Sequence, residues 1–362
     1  MKKLKKLTAL LTAIGMVAAM SACGSDAASS AAVSAAASTG TDAAPAATEA
    51  AAPAEAGSAA ETETAAADGD TYLIGICQLV QHEALDAATQ GFKDALTEKL
   101  GDKVKFDEQN ASGDSANCST IVNGFLSENV DLILANATAP LQAAAAATSE
   151  IPVLGTSVTD YATALEISDW TGTVGNNVSG TSDLAPLDQQ AAMIQELFPD
   201  AKKVGLLYCS AEPNSVYQCD TIEGYLKDEG YEVERYAFTD TNDVTSVTQT
   251  ACDNSDVIYI PTDNTAASNT EAIANVVLPA GVPVVAGEEG ICKGCGVATL
   301  SISYYDLGYT TGEMAYKILV EGQDVTTTAV ETAKTVTKKY NAANCETLNI
   351  TVPDDYEAIS ED

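Results

Sequence analysis

The sequence predicts an α/β protein built of two lobes, each a doubly wound parallel sheet, joined by a hinge of several chain crossings. Twice along the chain, short apolar runs alternate with longer segments of helical period, the pattern of parallel sheets with helices on both faces. The chain after residue 70 is also longer than one hydrophobic core usually serves. We therefore expect lobe 1 at 71–180 plus 290–325 and lobe 2 at 181–289 plus 326–362.

The first 23 residues have the pattern of a bacterial export signal. Four lysines within the first six residues precede an apolar run over 7–20, which ends in Met20-Ser21-Ala22-Cys23. This ending resembles a lipobox, in which the cysteine is lipidated and becomes the first mature residue. We therefore expect a lipoprotein signal peptide at 1–23, with palmitate-type lipid on Cys23. An ordinary secretory signal, with Cys23 incidental, is the alternative.

Residues 24–70 consist almost entirely of Ala, Ser, Thr, Pro, Gly, Glu and Asp, and include no aromatic residue. A segment with so little apolar surface cannot offset its ordering entropy. We expect a disordered tether that joins the lipid on Cys23 to the globular part. The protein would then be extracytoplasmic and anchored to the outer face of the cell membrane.

Composition excludes several classes of function. The formal net charge of −35 makes nucleic acid an unsuitable partner. No nucleophile motif or glycine-rich phosphate loop is present, so we expect no enzyme activity and no cofactor. The single histidine, His82, and the one closely spaced pair, Cys292 and Cys295, are too few for a zinc site. That pair is interpreted as a local disulfide or two free thiols, with a thiol redox role as the alternative.

The elements of lobe 1 follow from apolar periodicity. Continuous apolar runs predict strands, and stripes at helical spacing predict the helices between them. The predicted strands are 72–78, 104–106, 132–135 and 151–155, and the predicted helices are 82–100, 114–128 and 140–149.

Lobe 2 repeats the alternation after a Gly, Asn and Ser-rich passage at 175–180. Its predicted helices are 187–197, 216–228, 244–252 and 268–277, and its predicted strands are 204–208, 232–236, 257–260 and 282–286. The strand predicted at 297–300 and the helix at 306–320 are expected to return to lobe 1. The tail from about residue 326 is expected to cross back to lobe 2.

Small polar residues follow many of these strands and predict a ligand site. Ligands of open α/β sheets bind outside the carboxyl ends of the strands, where helix N-termini offer free N–H groups. The candidates from lobe 1 are Gln78, His82, Thr138, Thr159 and Asp160, and those from lobe 2 are Asn214, Ser215, Asp263, Asn264 and Glu288. Ser182 and Asp183 lie near the first crossing, and Tyr304 and Tyr305 supply aromatic rings that could stack on a ligand.

The charges of these candidates indicate the kind of ligand. The only arginine, Arg235, lies far from them, so a ligand carboxylate would rest on the hydroxyls of Thr138 and Thr159 and on helix N-terminal amides. A ligand ammonium group would pair with Asp263, Asp183 or Glu288. This division favours a zwitterion or a cation over a phosphorylated anion, with Asp263 as the expected acceptor of the cation and Asn264 orienting polar groups beside it.

Five motifs follow one another along the chain: VQHEALD at 80–86, NVSGTSDL at 177–184, NSV at 214–216, IPTDN at 260–264 and SYYDLG at 303–308. Through these motifs the region 72–350 resembles the type I periplasmic-binding-protein group of ABC-transporter substrate-binding proteins. Within that group it is similar to the lipoproteins that bind aromatic amino acids, tryptophan in particular.

This resemblance implies a monomeric, non-enzymatic protein that captures an aromatic amino acid between its lobes and delivers it to an ABC permease in the membrane. The same fold with a sugar or nucleoside as ligand is a second hypothesis. An exported thiol redox protein that uses Cys292 and Cys295 is a third, from a different class.

Overall fold

The computed structural model describes residues 71–360. The predicted signal peptide at 1–23, with Cys23, and the predicted tether at 24–70 lie outside the described residues. Across 71–360, no helix combines the length and the apolarity needed to cross a bilayer. Two sheets, both mainly parallel and both covered by helices, form the described part, which confirms the predicted fold class.

The first sheet and its helices form lobe 1. The sheet is entirely parallel, in the order β11-β5-β4-β3-β1-β2. Its strands are β1 (Tyr72–Gln78), β2 (Val104–Asn110), β3 (Leu132–Asn136), β4 (Val153–Val158), β5 (Val178–Ser182) and, late in the chain, β11 (Glu331–Thr332). Its helices are α1 (Glu83–Leu100), α2 (Ser115–Glu128), α3 (Thr138–Ala147), α4 (Tyr161–Ala164) and α11 (Tyr304–Leu319).

The second sheet and its helices form lobe 2, with the strand order β13-β12-β10-β9-β8-β6-β7. Its strands are β6 (Lys203–Cys209), β7 (Glu232–Phe238), β8 (Val257–Ile260), β9 (Val284–Ala286), β10 (Ala298–Ser301), β12 (Thr337–Tyr340) and β13 (Glu357–Ala358). Its helices are α5 (Leu187–Leu197), α6 (Pro213–Asp228), α7 (Val244–Asn254), α8 (Asn264–Ala267), α9 (Thr270–Ala280), α10 (Glu289–Cys295) and α12 (Ala342–Thr347).

The central strands are apolar on both faces because helices cover both faces of each sheet. Every residue of β3 and of β8 is buried. In lobe 1, Phe125 and Tyr161 belong to the core on one face of the sheet, and Phe92 and Met314 belong to the core on the other. These two cores hold the sheet against its helices and fix where the strand ends lie.

The chain crosses between the lobes after β5, after β10 and after β11. The second crossing lies later than predicted. The sequence assigned 290–325 to lobe 1, but β10 pairs in parallel with β9 and antiparallel with β12, so residues 298–301 lie in the second sheet. The return to lobe 1 therefore begins at Ile302. The tail also crosses later than residue 326, because β11 still pairs with β5 in the first sheet.

Helices α1 and α11 of lobe 1 pack with their backbones in direct contact. A Cβ atom added to Gly308 of α11 would lie 1.9 Å from the carbonyl oxygen of Ala88 in α1. Gly91 of α1 meets the carbonyl oxygen of Tyr305 in the same way, at 2.1 Å. Because only glycine has no Cβ atom, this approach of the two helices depends on these positions.

Candidate functional site

The carboxyl ends of strands from both sheets meet around a closed cavity between the lobes. The cavity has a volume of about 10 Å³, about that of one water-sized sphere. It is lined by eight of the predicted residues: His82, Thr159, Asp183, Asn214, Asp263, Asn264, Glu288 and Tyr304. Ser157, Thr262 and Ala267 complete the lining and were not among the predicted residues.

Two polar contacts cross the cavity from lobe 1 to lobe 2. Nε2 of His82, the N-cap residue of α1, lies 3.2 Å from Oδ1 of Asn264 in α8. The hydroxyl of Thr159, after β4, lies 3.4 Å from that of Thr262, after β8. Residues from the two lobes thus contact each other directly, and the cavity is closed.

Asp183 differs from the other acids of the cavity in having a free oxygen. Its side chain is buried, and the Tyr304 hydroxyl donates a hydrogen bond of 2.8 Å to Oδ2. Oδ1 is buried and has no hydrogen-bond partner among residues 71–360. Burial raises the pKa of this carboxyl, while hydrogen bonds from the side chains of Tyr304 and Thr159 and from its own backbone N–H act in the opposite direction. A buried acceptor without a partner is costly, and a ligand donor would satisfy it.

Ser157 brings to the same cavity a hydroxyl that also has no partner among the described residues. This hydroxyl is buried in the cavity wall. The residue has a φ of 55°, in the left-handed region, at an irregularity of β4 where the pairing with β5 shifts between Gly155 and Val158. Such backbone conformations are costly for a residue other than glycine and are common at binding sites. The irregular strand end thus brings a hydroxyl into the cavity.

Asp263, the predicted acceptor of a ligand cation, already has partners for both oxygens. Oδ2 accepts a hydrogen bond from the backbone N–H of Cys209 at 2.6 Å, and Oδ1 accepts one from Ala266 at 2.8 Å, which caps α8. Burial and the charge of Glu212 raise the pKa of Asp263 to about 8. The Asp263 carboxyl thus connects β6 to α8. Unlike Asp183, it has no oxygen without a hydrogen-bond partner that could accept from a ligand.

Asn264 beside it is also held in place by Glu212. The amide nitrogen of the Asn264 side chain donates to Glu212 Oε2 at 2.7 Å, and the same carboxylate accepts from the backbone N–H of Asn264 at 3.0 Å. The other oxygen of Glu212 accepts from Thr265. This arrangement directs the amide oxygen of Asn264 towards His82, whose pKa is lowered by burial and raised in part by the contact with Asn264.

Glu288 is the N-cap residue of α10. Its carboxylate accepts hydrogen bonds from the backbone N–H groups of Gly290, at 2.6 Å, and of Ile291. Burial raises the pKa of Glu288 to about 7, and the two backbone donors act in the opposite direction. The side chain lines the cavity and at the same time fixes the start of α10.

Glu288 predicts a pH dependence of stability. In the folded protein the Glu288 carboxyl keeps its proton up to about pH 7, whereas the ordinary pKa of a glutamate side chain is 4.5. Between these two pH values the native state therefore binds more protons than the unfolded chain. The contribution of Glu288 to the free energy of unfolding is therefore complete below pH 4.5 and is lost as the pH rises to about 7. We expect the urea midpoint to fall between about pH 5 and about pH 8, and to fall less in Glu288→Gln. Equal falls in the two proteins would contradict this assignment.

Three other predicted residues have structural contacts away from the cavity. The Gln78 side chain accepts a hydrogen bond from Thr89 at 2.6 Å and donates to Asp86 at 2.6 Å, which joins β1 to α1. Asp160 caps α4 by accepting from Thr163 N–H at 2.7 Å. Thr138 is buried at the start of α3.

Three further candidates are also placed outside the lining. The Ser182 hydroxyl donates to the carbonyl oxygen of Thr159 at 2.8 Å, which holds β5 against the end of β4. Ser215 is fully buried in α6. Tyr305 is 40 % exposed, and its hydroxyl contacts Asp94 at 3.0 Å. The structure does not bring these three side chains to the cavity, although Tyr305 lines a larger pocket that adjoins it.

The cysteines of residues 71–360 are all free and all buried. Cys292 and Cys295 lie in α10, and burial raises the pKa of both thiols. A buried thiol with a raised pKa contains little of the reactive thiolate form, which does not favour a redox role for this pair. No cluster of His, Cys, Asp and Glu across 71–360 is arranged to hold a metal ion.

We expect the native protein to react slowly with a thiol reagent such as Ellman's reagent. The reason is that the reagent reaches these thiols only when the lobes unfold. A form of the protein that begins at residue 71 should release the coloured product of the reagent rapidly only after denaturant is added. Rapid reaction of two thiols in the native state, lost in the Cys292→Ser/Cys295→Ser double variant, would instead support a redox pair.

The comparisons with known proteins match the chain to a family and to individual members. A family model described as ABC transporter substrate binding protein matches residues 73–360. The tyrosine-binding protein of Clostridioides difficile is 38 % identical over 255 residues, which cover 70 % of this chain and 73 % of that protein.

Two solved structures show the same architecture. The L-Trp complex of an ABC domain from Streptococcus pneumoniae has a TM-score of 0.76 at 31 % identity and covers 80 % of this chain and all of that one. The ligand-free, open structure of a substrate-binding protein with adhesive properties from Clostridium difficile has a TM-score of 0.62 at 34 % identity, covering 81 % of this chain and all of that one. The TM-score is therefore higher for the L-Trp complex than for the open structure. This chain belongs to the family of ABC transporter substrate-binding proteins.

Proposed function

We propose that the protein captures an aromatic α-amino acid between its lobes and delivers it, as a monomer, to an ABC permease. Members of this family work outside the cytoplasm, and the two relatives described above are a tyrosine-binding protein and a complex with L-Trp. The observation that carries the proposal is the unpartnered Oδ1 of Asp183 in a buried cavity. An α-ammonium group placed there would provide the missing donor.

The acidic side chains of the cavity support an ammonium ligand, because a nearby positive charge favours their ionised form. Asp183, Asp263 and Glu288 line it, and no Lys or Arg does so among the described residues. The lowered pKa of His82 favours its neutral form, so the wall carries no opposing positive charge. A ligand with an exposed positive group is therefore the best electrostatic match.

An aromatic side chain would need more space than the cavity itself provides. A chamber of about 270 Å³ adjoins the cavity on the side of the hinge and shares Glu288 and Tyr304 with it. Its apolar lining includes Ala84, Ala87 and Ile302. We assign the ring of the ligand to this chamber, whose volume lies just below the range of about 300 to 1,000 Å³ that is typical of small-molecule sites. Opening of the lobes at the crossings would admit the ligand.

A thermal-shift panel of the twenty amino acids tests this function. Trp, Tyr or Phe should raise the melting temperature, because a ligand at 100 times its Kd adds about 2.7 kcal/mol to the free energy of unfolding. For a protein of this size, that corresponds to a rise of about 5 to 10 °C. A flat amino-acid panel together with a response to a sugar or nucleoside would replace the proposal with the alternative ligand class.

We also propose that lipid on Cys23 anchors the protein to the outer face of the membrane. The support is the Met20-Ser21-Ala22-Cys23 sequence at the end of the apolar run. Cys23→Ser should move the protein from the membrane fraction to the medium or periplasm and abolish incorporation of labelled palmitate. A variant that stays membrane-bound would contradict the anchor and leave the ligand proposal unaffected.

A further inference from the structure

The polar groups of the cavity are unequally suited to the two ends of an amino acid. For an ammonium group, Asp183 offers a free acceptor, Oδ1, on a side chain that is only 4 % exposed. For a carboxylate, the Thr262 hydroxyl accepts from the Gln218 amide, and the hydroxyls of Thr159 and Thr262 contact each other at 3.4 Å, so that one of their two O–H groups is used within the lining. The Ser157 hydroxyl is the lining hydroxyl that has no partner among the described residues.

Three basic side chains that could have served a ligand carboxylate have other partners, and one of them, Lys339 of the adjoining chamber, pairs with Glu289 at 2.7 Å. Arg235 pairs with Asp220 and Glu223 on the outside of lobe 2. Lys293 pairs with Glu83 at 3.1 Å, at the edge of the interface between the lobes. A ligand carboxylate would therefore enter a space bounded by acidic side chains, with one unpartnered hydroxyl and, among the described residues, no basic side chain in the lining.

We propose that the cavity also accepts decarboxylated aromatic amines and binds them at least as tightly as the parent amino acids. These monocations keep the ring and the ammonium group and lack the carboxylate. The inference rests on the proposed function for the aromatic part of the ligand. Its own basis is the combination of a buried, unpartnered carboxylate oxygen with an acidic lining.

The physical reason is the difference in charge between the two ligands. Both would place an ammonium group against Asp183 Oδ1. The amino acid would in addition bring a carboxylate into a buried space whose described lining offers one unpartnered hydroxyl and no basic side chain. The amine has no carboxylate and therefore avoids this desolvation cost.

Calorimetric titration of the whole protein at about pH 7 with matched ligands tests the proposal. The pairs are tryptophan with tryptamine and tyrosine with tyramine, and indole-3-propionate is the ligand without an ammonium group. We expect each amine to bind with a Kd within threefold of its parent or lower, and indole-3-propionate not to bind. Amines that bind more than threefold more weakly than their parents would overturn the inference while the proposed function stands.

A pair of variants separates this result from nonspecific attraction to an acidic protein. Asp183→Asn should weaken tryptamine binding at least 100-fold. Asp131→Asn is the matched control, because Asp131 is exposed and accepts a backbone hydrogen bond from Leu73 far from the cavity. Amine binding that is unchanged in Asp183→Asn would overturn the inference. Absence of binding by both amines and amino acids would remove the proposed function as well.

Discussion

Asp183→Asn should weaken binding of the aromatic amino acid about 100-fold or more. Loss of one partner of a buried, hydrogen-bonded charge pair costs about 2 to 5 kcal/mol, and about 3 kcal/mol corresponds to a factor of about 100 in Kd. The substitution keeps the shape of the side chain and an oxygen that can accept from the Tyr304 hydroxyl. The substitution should therefore weaken ligand binding and leave the fold intact. Isothermal titration would measure the first effect, and a melting curve would test the second.

The control is again Asp131→Asn, which removes a carboxylate from the other end of the first sheet. It should lower the net negative charge by the same amount and leave Kd unchanged. An Asp183→Asn protein that melts like the wild type and binds the amino acid equally well would exclude Asp183 as the acceptor. Asp263, the acceptor predicted from the sequence, would then be the next carboxyl to test.

Gly308→Ala should destabilise the protein strongly, although it adds a single methyl group. The new Cβ atom would lie 1.9 Å from the Ala88 carbonyl oxygen, so α11 and α1 must separate and lose packing along their length. Overpacking of this kind costs about 3 kcal/mol, equivalent to a fall in melting temperature of about 6 to 12 °C. Differential scanning calorimetry of the variant and the wild type would measure this fall.

Gly124→Ala is the matched control, because Gly124 is also a helical glycine and a Cβ atom there would meet nothing within 4 Å. The same substitution should stabilise the protein by about 0.5 to 1 kcal/mol, since alanine is the better helix former. A lower melting temperature for Gly308→Ala together with a higher one for Gly124→Ala would assign the destabilisation to the contact between α1 and α11. Similar melting temperatures for both variants would contradict close packing of α1 and α11.

Much of the fold could be predicted because apolar periodicity carries it. The predicted bounds of α5 and β8 agree with the structure. The cavity residues followed from a general property of parallel sheets, that strand ends of one direction lie at one edge. This property places residues near an edge, but it does not determine which side chains point into the cleft. Gln78 and Tyr305 satisfy it and yet have partners elsewhere.

The rest depended on contacts that local sequence does not encode. Ser157 was missed because β4 continues through an irregularity to Val158, which changes the direction of the side chains at the strand end. The return to lobe 1 was placed too early because the position of β10 depends on antiparallel pairing with β12, about 40 residues away. Short strands of the tail, such as β11 and β13, have no apolar pattern of their own.

The late position of α11 has a consequence for how the chain folds. Lobe 1 begins at Tyr72, but it is completed only by α11 and β11, and the Tyr72 hydroxyl donates to the carbonyl oxygen of Leu319 across 247 residues. During synthesis, the ribosome must produce nearly all of lobe 2 before lobe 1 can close its core. Native contacts of such high sequence separation slow folding. The first lobe should therefore be the last to become resistant to protease in a refolding experiment, although its residues are the first to be translated.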